Sequence, residues 1–437
     1  MALGGGTFTS QNKVLPGAYI NIKTASGSVV TIGERGTVAL PIALSWGKTG
    51  VYAVTAEEFQ NNSIGVFGYP FTAAEMQSLR EVFMNAQKVL VYNLNEGGKA
   101  ASATVSSMTA LGAFCVAKCN GKRGNDMRLV ITANIDDENK ADVSIYMDKT
   151  CVFSQTVTDA SELAENDFVT WNKEITFVKS YSTASTPFTG GTDGTASTGT
   201  HQNALNALES YKFDILVCSD TAQNALYAAY TERLRDKRGI KFQMVGVDVE
   251  ADYKGIVSLV SEQANALYWT AGALAGCAVN KSCTNKIYNG ELTIATPHTQ
   301  LELENCILTG KFVFHKVDDE VRVLMDINTH VTYTEENGKL FSKNQVVRAT
   351  DNRHNDIKRI FYNKYLGNVQ NDDDGRSSFW GDVVKLTNEY VAMRAFGTYD
   401  SKSLTVELGD NLDSVVTKDY VTPIGTMEKL YMETICG

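Results

Sequence analysis

The chain has 437 residues, 43% hydrophobic and 21% charged, with a formal net charge of −10 at pH 7. Its length sets a prior of about three domains of ordinary globular composition. The acidic balance argues against a nucleic-acid backbone as partner, which calls for a basic footprint. No apolar run approaches the ~18 residues that span a bilayer, and MALGGGTFTS lacks both the basic start and the apolar core of a signal peptide. Synthesis and folding in the cytoplasm, with no membrane insertion, are therefore expected.

The start of the chain reads as an extended arm, residues 1–27, in which GGGTFTSQNK leads into a short strand from Leu15 to Ile22. Over 28–96, SVVTI and RGTVALPIALSWG read as strands. The capping-box pattern Thr72 to Glu75 opens a helix with apolar positions Met76, Leu79, Val82 and Phe83. It feeds into KVLVYNL, an apolar run of the kind buried on both faces of a parallel sheet.

From 97 to 182 the texture changes to short β-prone runs: ASATV, GAFCVAKC, MRLVITANI, ADVSIYM, CVFSQTV and EITFVKSY. That spacing predicts a small β-sandwich inserted into the α/β chain. A Gly/Ser/Thr-rich loop, Thr183 to Thr200, closes it.

The α/β texture returns over 183–343. A helix near Asn203–Ser210, the strand FDILVCS, a long helix from Thr221 to Arg238 stopped by Gly239, and the strands KFQMVGV and IVSLV follow one another. Strand, helix, strand at this spacing is the signature of an open α/β sheet. The next helix, Gln263 to Val279, carries Ala271, Gly272, Ala273, Ala275 and Gly276, small enough for close packing. KFVFHKV and VRVLMDI read as a hairpin. The last part, 344–437, has helices at about Asn352–Leu366 and Ser377–Ala395, a strand at SLTVEL, and two terminal strands, DSVVTKDYV and MEKLYMETI.

Motifs that carry chemistry are missing. Neither G-x-x-x-x-G-K-[ST] nor G-x-G-x-x-G occurs. Asp372-Asp373-Asp374-Gly375 looks like a calcium loop, but the alignment puts Gln370 first and Gly381 twelfth, where an aspartate and a glutamate belong. His201, His298, His315, His330 and His354 stand in different elements without a nucleophile motif. Cys115 and Cys119 are four apart and Cys277 and Cys283 six apart, with no zinc pattern, so the eight cysteines read as buried free thiols. No cofactor, no metal and no catalysis are expected.

The terminal strand alternates, with Leu430 and Met432 on one side and Lys429, Tyr431 and Glu433 on the other. A strand that ends a chain leaves an open edge, and the N-terminal arm supplies a strand of the same kind. Strand exchange between copies is the expected use of both ends. The expected subunit-interface residues are Tyr19, Ile20, Ile22, Val416, Tyr420, Lys429, Leu430, Tyr431 and Met432.

Seven segments in order, LPGAYINI, RGTVALPIALSWG, GGTDGT, LAGCAVNKSCTNKIYNG, VRVLMDINT, FSKNQVVRATDNRHNDIKRIF and VTPIGTMEKLYMETI, make the chain resemble the tail sheath proteins of contractile phages, especially those of Gram-positive hosts. R-type bacteriocin sheaths look alike at this level. The resemblance implies a subtilisin-like α/β domain, the inserted β-sandwich, and a C-terminal α+β domain that carries the joints between subunits. It implies a homo-oligomer of stacked rings around a tail tube protein, bounded by baseplate and tail terminator proteins. Such particles assemble in the host cytoplasm and become part of a virion tail or a released bacteriocin. Contraction drives the tube through a cell envelope. Arg353, Lys358 and Arg359 are the candidates for the tube face, as cations opposite an acidic tube. The rival readings are an α/β hydrolase-like enzyme and a non-contractile virion structural protein.

Overall fold

The computed structural model describes residues 4–6, 17–19 and 34–436. The expected strand SVVTI and all of the arm except 4–6 and 17–19 lie outside the described residues. Within the arm, β1 (Gly4–Gly6) pairs in parallel with β2 (Gly17–Tyr19) of the same chain.

The first α/β stretch runs β3 (Thr37–Ile42), β4 (Val51–Thr55), α1 (Ala56–Phe67), α2 (Gln77–Phe83) and β5 (Lys88–Asn93). The capping box expected at Thr72 is not formed. A 3-10 turn at Ala74–Met76 leads into α2 without a side-chain cap. The cap belongs instead to α1, where Thr55 Oγ1 accepts the Glu58 amide at 3.2 Å.

The inserted stretch forms β6 (Ala100–Ala103), β7 (Cys115–Asn120), β8 (Met127–Ala133), β9 (Ala141–Met147), β10 (Thr150–Val157), β11 (Val169–Trp171) and β12 (Thr183–Pro187). Two sheets, in the orders β10-β9-β8-β12 and β11-β7-β6, share one core. Alternation makes that core: Ala141, Val143, Ile145 and Met147 point inward from β9, and Cys115, Ala117 and Cys119 from β7. EITFVKSY is not a strand; Val178–Tyr181 is a 3-10 turn, and the strand role passes to Thr183–Pro187, which was expected to be loop. The Gly191–Gly194 stretch then crosses the outgoing chain closely. An ideal Cβ on Gly194 would lie 1.8 Å from the Glu96 carbonyl oxygen.

The chain returns through α3 (Thr198–Leu208), β13 (Ile215–Val217), α4 (Asn224–Glu232), β14 (Gln243–Val247), β15 (Ile256–Leu259), α5 (Leu267–Gly276), α6 (Gln300–Leu308) and β16 (Lys311–Phe312). These strands complete a seven-stranded sheet in the order β16-β15-β14-β13-β3-β5-β4, parallel except for β4 at the edge. Consecutive residues serve opposite faces. Val38, Leu40, Val89, Val91, Ile215 and Val217 meet α2 and α5 on one side, while Ala39, Leu90 and Leu216 meet α3 and α4 on the other. Of the segment expected as one hairpin, Lys311–Phe312 joins the large sheet, and β17 (Phe314–Val317) with β18 (Glu320–Val323) forms the hairpin.

The last part comprises α7 (Asn344–Ile360), α8 (Asp373–Ala392), β19 (Thr405–Leu408) and β20 (Val415–Lys418). Leu386, Tyr390, Phe396, Leu404 and Val383 form its core. Ion pairs tie α7 to the segments around the large sheet: Arg235, in the turn after α4, to Asp351 at 2.6 Å, and Arg348 to Asp326, in the loop after β18, at 3.1 Å, the latter fully buried. The whole is a mixed α/β chain of several sheets, and no barrel occurs among the described residues.

Candidate subunit interface

The first terminal strand is satisfied inside its own chain. Val416 of β20 pairs with Glu407 of β19, leaving a two-stranded hairpin whose outer edges are open. Beyond it the chain is fastened by an antiparallel bridge of Pro423 to Phe396, with the Ile424 amide donating to the Ala395 carbonyl at 3.0 Å, and by side chains at three points. Asp419 accepts from Arg353 and, at 2.8 Å, from Tyr399 Oη. Gln345 then imitates a strand neighbour, its Nε2 donating to the Ile424 carbonyl at 3.1 Å and its Oε1 accepting the Thr426 amide at 3.0 Å. Glu428 finally accepts from Thr284 Oγ1 at 3.0 Å and pairs with Lys343.

After Glu428 the fastening stops. The expected second terminal strand has no ladder partner among the described residues, and Lys429 to Cys436 make no hydrogen bond or ion pair there. Leu430 is 82% exposed, Tyr431 88%, Met432 76% and Ile435 87%, so both sides of the alternating pattern face solvent. Covering one such side chain stabilises by roughly 1.5–3 kcal/mol. Four within six residues is an unmet demand for a partner surface. Tyr420, 74% exposed, stands nearby on the same strand exit. The Tyr19 backbone lies in β2, while its side chain, Ile20 and Ile22 are outside the described residues.

Arg353 is largely buried, with Nε 3.1 Å and Nη2 2.8 Å from Thr387 Oγ1 and its charge matched by Asp419, so within the subunit it braces α7 against α8. The helix begins at Asn344, eight residues before the expected start, and Ala349, Asn352, Arg353, Asp356 and Ile360 fall on its inward stripe. Lys358 and Arg359 are half-buried: Lys358 Nζ reaches the Arg238 and Gly239 carbonyls, and Arg359 pairs with Asp356 at 3.0 Å. They line a shallow groove with Lys212 and Lys241. A second groove, between α7, α8 and β20, has an apolar floor of Phe361, Phe379, Val383 and Leu404.

The aspartate run is a helix start. Asp372 caps α8 by accepting the Gly375 amide at 2.8 Å, and among the described residues no three His, Cys, Asp or Glu side chains are placed to hold a metal ion. His201 does meet a carboxylate and a tyrosine, with Nδ1 2.8 Å from Tyr227 Oη and Nε2 3.9 Å from Asp220. Burial lowers its pKa from the ordinary imidazole value, and burial pushes the nearby Cys218 thiol up to about 12. The cysteine expectation is half corrected: Cys115, Cys119, Cys218 and Cys283 are buried, while Cys151 and Cys436 are exposed.

Comparison with known proteins agrees over the whole chain. A phage-like element PBSX protein of Bacillus subtilis, XkdK, is 31% identical over 468 aligned residues, covering 98% of this chain and 99% of its own. The sheath tail protein of Desulfitobacterium hafniense, known from a crystal structure, is 33% identical with a TM-score of 0.80, covering 95% of this chain and 99% of its own. The chain belongs to the phage tail sheath family. Family models place its parts in order: the tail sheath protein Gp18 domain III N-terminal region at 35–94, the phage tail sheath β-sandwich domain at 96–193, the central domain at 194–329 and the C-terminal domain at 336–436. The contracted helical sheath of the anti-feeding prophage shares the fold at a TM-score of 0.55 and 10% identity over 97% of this chain and 99% of its own. In this sheath subunit the unpartnered segment lies within the C-terminal domain. No helix among the described residues is long and apolar enough to cross a membrane.

Proposed function

We propose that this tail sheath subunit polymerises by lending its terminal segment to a neighbour, forming stacked rings around a tail tube between baseplate and terminator proteins, and that the sheath contracts to drive the tube through a target envelope. The observation that carries this is the run from Lys429 to Ile435, rich in exposed apolar side chains and, among the described residues, anchored at its root by Gln345 and Glu428. Added strands hold by main-chain bonds while their bodies move, and a head-to-tail joint whose rotation does not close makes a helical filament. The open edges of the β19–β20 hairpin and the apolar groove beside it are the receiving surface. Tyr19, Ile20 and Ile22 of the arm act as the second exchanged strand.

Contraction draws on a metastable extended state released over a barrier, with no nucleotide. The seven-stranded domain is read as subtilisin-like in fold only, and the subunit as a structural protein without catalysis. The resemblances of sequence and family support assembly in the host cytoplasm and release with a virion tail or a bacteriocin particle. Lys358 and Arg359 remain the proposed tube-facing cations.

Leu430→Pro removes a ladder donor and an apolar side chain that no described residue of the subunit uses. The variant should keep wild-type circular dichroism and lose the hollow cylinders that wild-type protein forms in electron micrographs. Cylinders of normal length from Leu430→Pro would refute strand lending.

A further inference from the structure

Seven residues after the end of α5 the chain folds back on that helix's last turn. Cys277 caps the helix, and Cys283 Sγ donates to the Ala273 carbonyl at 3.6 Å, one turn before Cys277. The Cys283 sulfur also lies within hydrogen-bonding reach of the Cys277 sulfur. The loop between them is gripped from outside: Asp326 accepts the Cys283 amide at 2.9 Å, Arg348 donates to the Lys281 carbonyl at 2.8 Å, and Asn280 donates to the Met393 carbonyl at 2.7 Å. Arg35 reaches the Leu274 carbonyl on the same helix turn. The Nε atoms of Arg35 and Arg348 are both buried without an acceptor among the described residues.

We propose that Cys277 and Cys283 form a thiol–disulfide exchange site, with Cys277 as the attacking sulfur, Cys283 as the resolving sulfur and a small-molecule disulfide as co-substrate. Attack and resolution are assigned by access and charge. Cys277 is half-buried and Cys283 buried. The Cys283 hydrogen bond and the Arg348 and Arg35 guanidiniums hold the Cys277 thiol below its usual range, against burial and the Asp326 carboxylate, which both disfavour the anion. The same bond and burial raise Cys283. A thiolate beside a second thiol is the arrangement that resolves oxidation to an internal disulfide.

With glutathione disulfide, the Cys277 thiolate attacks one sulfur, forms a mixed disulfide and releases one glutathione thiolate. Cys283 then gives its proton to solvent, its sulfur attacks Cys277 Sγ, and the second glutathione leaves. Two protein thiols are oxidised by two electrons, and one small disulfide is reduced to two thiols. The product staples the loop that links the large sheet to α7 and α8.

The test uses the full chain at pH 7 with glutathione disulfide, followed by alkylation and non-reducing peptide mass mapping. The expected result is a 277–283 linked peptide, two hydrogens lighter than the reduced pair, with no glutathione retained on it. Cys283→Ser should hold glutathione on Cys277, because no sulfur remains to expel it. Cys277→Ser should give neither product. The exposed Cys151 and Cys436 serve as references. Wild-type protein in which these become glutathionylated while Cys277 and Cys283 stay reduced would overturn the proposal, as would a stable glutathione adduct on wild-type Cys277.

Discussion

A buried imidazole makes stability depend on pH in a definite direction. His201 is almost fully buried against Tyr227, and burial lowers its pKa below the ordinary 6.5 despite the opposing pull of Asp220. In the unfolded chain it takes a proton near pH 6.5, in the folded chain only lower, so the unfolded state binds the extra proton and stability falls as pH drops below about 6.5. His201→Gln retains a partner for Tyr227 and removes that proton. Urea midpoints at pH 7.5 and 5.5 should therefore differ less for His201→Gln than for wild type; an unchanged difference would place the acid sensitivity elsewhere. At this scale sequence shows residue type and hides direction. Arg353 looks like a free cation in RATDNRHND, yet the true start of α7 turns it inward onto Thr387 and Asp419. Gln345 carried no signal at all, because its role depends on Ile424 and Thr426 arriving beside it.

At the scale of elements, the same substitution should change sign with its surroundings. Gly272 sits inside α5, where an ideal Cβ would lie 2.2 Å from the Val82 carbonyl oxygen, a backbone atom that cannot step aside. Gly381 sits inside α8 with nothing within 4 Å of such a Cβ. Alanine is intrinsically better than glycine in a helix by about 0.8–1 kcal/mol, whereas overpacking a tight contact costs about 1–3 kcal/mol. Gly381→Ala should thus raise the unfolding free energy by about 0.5–1 kcal/mol, and Gly272→Ala should lower it despite better propensity. Chemical denaturation of both variants checks the pair. The close packing of α5 was legible because a run of small residues has one physical use, and the buried strands were legible because KVLVYNL or KFQMVGV has no polar face to offer solvent. Helix α1 was not, since AEEFQNNSIGVF mixes polar and apolar residues without a clean stripe, and its local signs were confined to its ends, the Thr55 cap with Glu57 and Glu58 at the start and Gly68 at the stop. Thr183–Pro187 failed in the opposite way: its Ser/Thr composition reads as loop, and only the free edge of β8 makes it a strand.

For the whole molecule, the question is how motion passes from one subunit to the next. The body is held together by buried ion pairs between α7 and the segments around the large sheet, such as Arg348 with Asp326, whose loss would leave a buried charge at a cost of roughly 3–5 kcal/mol. The body therefore moves as a block, and under the proposed strand lending the link to its neighbour is the chain beyond Glu428, the last anchored residue. A short link transmits a rotation at once; a long one lets a ring turn before the next feels load. Inserting Gly-Ser-Gly-Ser between Glu428 and Lys429 adds up to ~13–14 Å of reach. Four is an even number, so Leu430 and Met432 keep their side of the strand and can still dock. Particles made with this subunit should assemble at normal length, since docking is intact, and stall on triggering with acid or denaturant, since each ring can turn without pulling its neighbour. Counting extended and contracted particles by electron microscopy decides the matter. Contraction at the wild-type frequency would mean that body-to-body contacts carry the movement and that the terminal strand serves assembly alone.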